Sequence, residues 1–247
     1  MIIDINCDVG EGIGNEAQLL PFISSCNIAC GGHAGDLQTI DKVIELAKQY
    51  KVKIGAHPSF PDKENFGRKV MDISSSELKE SLTDQVSILK ERVEKYGGKL
   101  HHVKAHGALY NLTATDKKMA KLVVDVVLRY CPDSFLYVPY QSEISKEAMQ
   151  KGLQIKYEAF ADRNYNYDLT LVSRSKEQAL IYKKEEVFSH VLNMLKNNEV
   201  KTITGQKVPI EADTFCIHGD SKNADVLVKY LFEEFKAINI EIAKMIV

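Results

Sequence analysis

The sequence predicts an α/β protein assembled from repeated strand–helix units around a parallel sheet. Two observations carry the prediction. Short runs rich in β-branched residues alternate with longer stretches of helical period, and most clusters of His, Asp and Arg fall where a strand ends. In parallel α/β folds the loops after the strands converge on one face, so polar residues there are placed to build a site. The chain of 247 residues is 45% apolar and 27% charged, the balance of an ordinary globular protein. A chain of that length buries roughly 70–75% of its unfolded surface and needs no disulfide to hold its core.

The first strand is expected at Ile2–Val9, where alternation puts Asp4, Asn6 and Asp8 on one face and Ile3, Ile5 and Cys7 on the other. Strands of a parallel sheet are buried on both faces, so such a polar row must be paired or must line a wet cavity. Further strands are expected at Cys26–Gly31, Val52–Ala56, Leu100–Ala105, Phe135–Pro139, Gln154–Phe160 and Thr214–His218. Between them, Leu37–Gln49 sets Ile40, Val43, Ile44 and Ala47 at helical spacing, with Asp36 fitted as its N-cap. Ser74-Ser75-Ser76-Glu77 reads as a capping run for a helix over Leu78–Tyr96. Asp116–Tyr130, Glu143–Lys151, Glu185–Asn197 and Ala224–Ala237 supply the remaining helices, and Val200–Ile210, alternating around Gly205, reads as an exposed hairpin. No linker, compositional shift or internal repeat divides the chain, so 1–247 is expected to be one domain. Periodicity alone fits either a closed barrel or an open doubly wound sheet.

Several function classes are disfavoured at this stage. With 32 Lys+Arg against 34 Asp+Glu, a net charge of −2 leaves no electrostatic footprint for nucleic acid. The apolar stretches around Leu122–Val124 and Val126–Leu128 are broken by Asp125 and fall far short of the about 18 residues that span a bilayer. Met1-Ile2-Ile3-Asp4 has no basic or apolar signal region, and the five cysteines are scattered without a C-x-x-C pair. A cytoplasmic protein with reduced thiols is expected. Gly10-Glu11-Gly12-Ile13-Gly14 lacks the spacing of a dinucleotide loop, and Asp4, Asp8 and Glu11 would repel phosphate. There is no G-x-S-x-G elbow, Walker lysine or H-E-x-x-H helix.

The chemistry-bearing residues follow the strand ends. His33 lies beyond the second strand in Gly31-Gly32-His33, and His57 precedes a proline that restrains its backbone. The loop after it delivers Phe66-Gly67-Arg68-Lys69. In His101-His102-Val103-Lys104-Ala105-His106, alternation puts His102, Lys104 and His106 on one face, with His101 expected to be structural. A lysine between two same-face histidines would lower their pKa values and could have its own lowered by burial, which tunes groups for proton transfer. Asp162-Arg163 forms an adjacent acid–base pair, and His218-Gly219-Asp220 ends the last strand.

Taken in order, these motifs resemble the LamB/YcsF family. The resemblance runs through Asp4-Ile5-Asn6-Cys7-Asp8-Val9-Gly10-Glu11-Gly12, residues 27–36, Ile54-Gly55-Ala56-His57-Pro58, Phe66-Gly67-Arg68, residues 102–111, residues 159–165 and His218-Gly219-Asp220. It implies a distorted seven-stranded (β/α) barrel of the glycoside hydrolase/deacetylase type. It also implies ATP-dependent opening of 5-oxo-L-proline to L-glutamate together with PxpB and PxpC subunits. In that scheme the partners bind ATP and activate the ring amide, and this chain helps hydrolyse it. The chain departs from the family pattern at Gly32, where Phe is usual, Ser59 (Gly), Lys69 (Arg) and Ala105 (Pro). The first change is expected to widen the pocket wall.

The site that follows gives Asp8 the role of base, His57 and His106 proton transfer or oxyanion stabilisation, and Lys104 electrostatic support. Asn6, Arg68, Asp162, Arg163 and His218 are expected around the substrate, with Arg68 or Arg163 meeting its carboxylate. A divalent metal on Asp8, His33, His57 and His106 is the second reading, that of a deacetylase-like hydrolase of carbohydrate or other amides. A carboxylate-binding scaffold protein that only completes the partner complex is the third. Self-association is left open.

Overall fold

Seven parallel strands close into a barrel in the computed structural model, which describes residues 1–221 and 223–244. The chain runs through β1 (Ile2–Ile3), β2 (Ile5–Val9), α1 (Glu16–Leu19), β3 (Ser25–Ala29), α2 (Leu37–Gln49), β4 (Lys53–His57), α3 (Ser75–Lys95), β5 (His102–Val103), α4 (Gly107–Thr115), α5 (Lys117–Tyr130) and β6 (Phe135–Pro139). It continues through α6 (Glu143–Gln150), β7 (Ile155–Phe160), α7 (Lys184–Asn197), β8 (Glu199–Lys201), β9 (Lys207–Pro209), β10 (Thr214–Ile217), α8 (Ala224–Ala237) and β11 (Glu241–Ile242). The barrel order is β10-β2-β3-β4-β5-β6-β7, and β7 pairing with β10 through Ala159 and Phe215 completes the circle. Periodicity alone fits a barrel or an open sheet, and this non-local pairing decides for the barrel.

The helices match their sequence signals closely. Asp36 caps α2 by accepting from the Thr39 amide at 2.8 Å. Ser74 and Glu77 close a reciprocal capping box on α3, so that helix begins at Ser75. The expected hairpin is the antiparallel pair β8–β9. Three differences stand out. The expected first strand breaks at Asp4, and its outer piece β1 pairs with β11 outside the barrel. The expected strand at Leu100–Ala105 shrinks to β5. Helix α4, read as the tail of a strand-end motif, starts directly after His106 with no side-chain cap.

Apolar side chains such as Ile5, Ile28, Ile54, Val103, Leu136 and Phe215 pack with Val43, Leu82, Val123, Val191 and Leu231 from the helices in one continuous core. Among the described residues no helix is long and apolar enough to cross a membrane.

Candidate active site

Inside the barrel the aliphatic layers common in this architecture are replaced by a polar column. At its base the Asp4 carboxylate accepts from Thr214, Ser25 and Lys53 at 2.7, 2.9 and 2.9 Å. One layer up, Asn6 donates to Glu158 Oε1 and Thr214 Oγ1 at 2.9 and 2.8 Å, while Asn27 donates to Asn6 and Asp8 at 2.7 Å each. His102 donates to Asn27 Oδ1 at 2.6 Å, its ring in the space that a Cβ on Gly55 would need. The polar row on the first strand is therefore paired, as its burial requires.

Lys104 crosses the barrel to Asp8 at 2.9 Å and Glu158 at 3.0 Å, with Cys216 Sγ also at 2.9 Å. Burial alone would push this ammonium down, but the Asp8 and Glu158 carboxylates hold it well above the usual lysine range. The expectation of a lowered lysine fails for that reason. Burial likewise works against the Asp8 charge, and the nearby His57 and Lys104 overcome it, so Asp8 stays ionised well below the ordinary aspartate range.

Above Lys104, Asp8, Glu11, His57 and His106 bring one donor atom each within 4.8 Å of one another. His57 Nδ1–H donates to the Lys104 carbonyl at 2.8 Å, and its Nε2 faces Asp8 at 3.4 Å. His106 Nε2–H donates to the Phe66 carbonyl at 3.0 Å, leaving Nδ1 to face His57 Nε2 at 3.0 Å and Glu11 at 3.5 Å. Burial, then His57 and His33, keeps His106 neutral with its pKa well below the histidine norm. Burial, with Asp8 and Asp220 close by, raises Glu11 well above the usual glutamate range. Two imidazole nitrogens beside two carboxylates form a donor set suited to a divalent cation. Glu11, not His33, completes it. His33 instead stacks on His106 with ring centroids 3.7 Å apart and meets Glu11 at 3.1 Å, and burial drives its pKa to about 3.

The remaining candidates separate. His218 donates to Asp162 at 2.9 Å, and the His218 amide and Ser221 hydroxyl also reach that carboxylate. Burial favours a protonated Asp162, yet His218 holds it below the aspartate norm. Arg163 turns the other way and donates to the Val172 and Ala179 carbonyls, so the adjacent acid–base pair of the sequence is parted. Arg68 pairs with Asp220 and lies over the Phe66 ring, half-exposed.

A cavity of about 620 Å³ opens over the column, lined by Asp8, His57, Lys104, His106, Arg68 and Arg163 among others. His218 also lines it, whereas Asn6 and Asp162 lie behind its wall, serving the residues that do. Sequence reading overlooked Glu11, Tyr110 and Glu158. Glu11 and Glu158 stand at strand ends like the residues that were chosen, which is the signal that would have found them.

Gly32 does not widen this cavity. A Cβ there would meet Gln85 Oε1 at 2.4 Å and Ser59 Oγ at 2.6 Å, so two neighbouring side chains already occupy the space.

The LamB/YcsF family model matches residues 3–246 of the chain. The 5-oxoprolinase A-subunit of Bacillus cereus (strain Q1) is 42% identical over 246 residues, covering 97% of this chain and 97% of that protein. The crystal structure of the lactam utilization protein from Thermus thermophilus is similar with a TM-score of 0.92 at 33% identity, over 99% of this chain and 100% of that one. The catalytic domain of a peptidoglycan N-acetylglucosamine deacetylase from Eubacterium rectale ATCC 33656 shares the fold alone, with a TM-score of 0.52 at 12% identity over 100% of this chain and 89% of that one. A match that spans the strand-end residues Asp8, His57, Lys104 and His106 together with the barrel that gathers them leaves one assignment: the chain belongs to the LamB/YcsF family.

Proposed function

We propose that this chain takes part in the hydrolytic opening of 5-oxo-L-proline to L-glutamate, an ATP-dependent reaction completed with PxpB and PxpC subunits that bind ATP and activate the lactam. The names of the relatives support the substrate class. The observation that carries the reading is Asp8, an ionised carboxylate on the cavity wall, clamped by Lys104 at 2.9 Å and lying 3.4 Å from His57 Nε2.

Opening a lactam needs a base for water, donors for the developing oxyanion and a cation for the substrate carboxylate. Asp8 was the expected base. Its carboxylate is held ionised by His57 and Lys104, and in this reading it orients His57, whose Nε2 lies 3.4 Å away and takes the proton from water. Asp8 then stabilises the imidazolium that forms, as the carboxylate does in a Ser-His-Asp triad. Water gives a proton to His57 as its oxygen adds to the ring carbonyl carbon. The C–N bond breaks, and the proton passes from the His57–His106 pair to the departing nitrogen. Lys104 keeps Asp8 charged throughout, and Arg68 meets the substrate carboxylate. A divalent cation on Asp8, Glu11, His57 and His106 would, when bound, polarise the carbonyl oxygen and acidify a bound water.

An unactivated amide is a poor electrophile, which is the physical reason for coupling to ATP. The chain incubated with 5-oxoproline, ATP and both partner subunits is expected to release glutamate, and no glutamate from the full set rejects the reading. Asp8→Asn is expected to cut turnover about 10²–10⁴-fold while assembly with the partners survives. Loss of assembly instead would favour a scaffold. The four-donor cluster also suits a metal-dependent deacetylase, which acetate release from N-acetylated sugars without ATP would reveal.

A further inference from the structure

Two buried polar atoms in the cavity lining find no partner within the protein: the Tyr110 hydroxyl and Glu158 Oε2. Tyr110 is 5% exposed and Glu158 2%. Buried polar atoms are almost always hydrogen-bonded, so a donor and an acceptor left short of hydrogen-bond geometry on two residues that line one cavity mark a place where a ligand can complete the set. Their chemistry is opposite. Glu158 Oε1 already accepts from Asn6 at 2.9 Å and Lys104 at 3.0 Å, which fixes the carboxylate and leaves Oε2 as a free acceptor. Burial, the Glu158 charge and the close approach of the two side chains push the Tyr110 phenol well above its usual range, so it stays protonated as a donor beside that carboxylate. Tyr110 is braced edge-on against Phe160 at 5.4 Å.

A donor and an acceptor side by side fit a group that presents C=O and N–H on one edge. A small-ring amide is held cis and does so, whereas an open-chain secondary amide is trans and points the two groups apart. Resting on the reading of the site above, we infer that Tyr110 and Glu158 are the specificity pair for a ring amide, Tyr110 donating to the lactam oxygen and Glu158 Oε2 accepting from the lactam N–H. The site thereby rejects open-chain secondary amides and rings that lack the N–H, because either leaves a buried group unpaired.

The test is binding of 5-oxoproline and of its lactone counterpart, in which a ring oxygen replaces N–H, measured by calorimetry on the intact chain. Wild type is expected to prefer the lactam by about 10-fold or more. In Glu158→Gln the side-chain oxygen must stay with Asn6 and Lys104, which turns the amide NH2 toward the ligand and makes the acceptor a donor. That variant is expected to lose or invert the preference, a change that a purely structural role would not produce. Tyr110→Phe is expected to weaken both ligands about 10-fold while keeping the preference. Equal binding of lactam and lactone by the wild type overturns the pair yet leaves the lactam reading standing, and needs no variant to fold. Binding of neither ligand, with glutamate also absent from the full subunit set, overturns both.

Discussion

His57 Nε2 and His106 Nδ1 face each other across 3.0 Å although each ring has already committed its other nitrogen, as a donor, to a backbone carbonyl. Two lone pairs at that distance repel unless a proton or a cation lies between them. The flanking Asp8 and Glu11 carboxylates favour the cation. Zinc or manganese at 100-fold its Kd is expected to stabilise the chain by about 2.7 kcal/mol, a rise of roughly 5–10 °C in the thermal midpoint. His106→Ala is expected to abolish the rise. A midpoint indifferent to every divalent metal would assign the gap to a shared proton instead.

Lys104 joins Asp8 to Glu158 at the barrel centre. Lys104→Met leaves two carboxylates buried without it and is expected to cost about 3–5 kcal/mol in urea denaturation. A loss below about 1 kcal/mol would show that the column relaxes around the missing charge. The pH signs follow from the two shifts. Lys104 has its folded pKa raised, so its contribution is full below about pH 10.4 and is lost as pH rises beyond. Asp8 has its folded pKa depressed, so its contribution is present above about pH 3.9 and is lost as pH falls further.

The outer surface of the barrel was legible because its signals are local. Asp36 and the spacing of Ile40, Val43, Ile44 and Ala47 delimit α2, and alternation correctly put Asp4, Asn6 and Asp8 together inside. Helix α4 is not legible in the sequence because it follows His106 with no side-chain cap and carries no charged face to betray a period. Asp162 and Arg163 looked like a pair because they are adjacent, yet neighbours in an extended chain point to opposite sides. Glu11 and Glu158 carry the same strand-end signal as the other site residues, but their partners lie on other strands, so spacing along one strand tells where they stand and not what they hold.

Acid should destabilise the protein well before its carboxylates titrate. Burial drives His33 to about 3 and His101 and His190 to about 4, and it holds His102 well below the histidine norm. Their folded pKa values lie below the unfolded value near 6.5, so the unfolded chain binds more protons and stability falls as pH drops through about 6.5 toward 4. Each histidine that stays neutral contributes up to about 1.4 kcal/mol per pH unit in that window. Calorimetric unfolding at pH 5.5 in buffers of different ionisation enthalpy is expected to show net proton uptake. Unfolding without uptake would mean that these rings are already protonated in the folded state.

Gly32 and Ser59 are coupled in space, since a Cβ at 32 would lie 2.6 Å from Ser59 Oγ. The Gln85 carboxamide seals the gap, accepting from the Ser59 amide and donating to the Ser59 carbonyl at 2.9 Å each. Gly32→Ala is therefore an overpacking change, expected to cost about 1–3 kcal/mol in denaturant unfolding. Adding Ser59→Gly is expected to recover only part of that cost, because Gln85 Oε1 lies nearer still at 2.4 Å. Full recovery in the double variant would show that Gln85 swings away freely and that the serine alone fills the site; no cost in the single variant would show that neither neighbour is held in place.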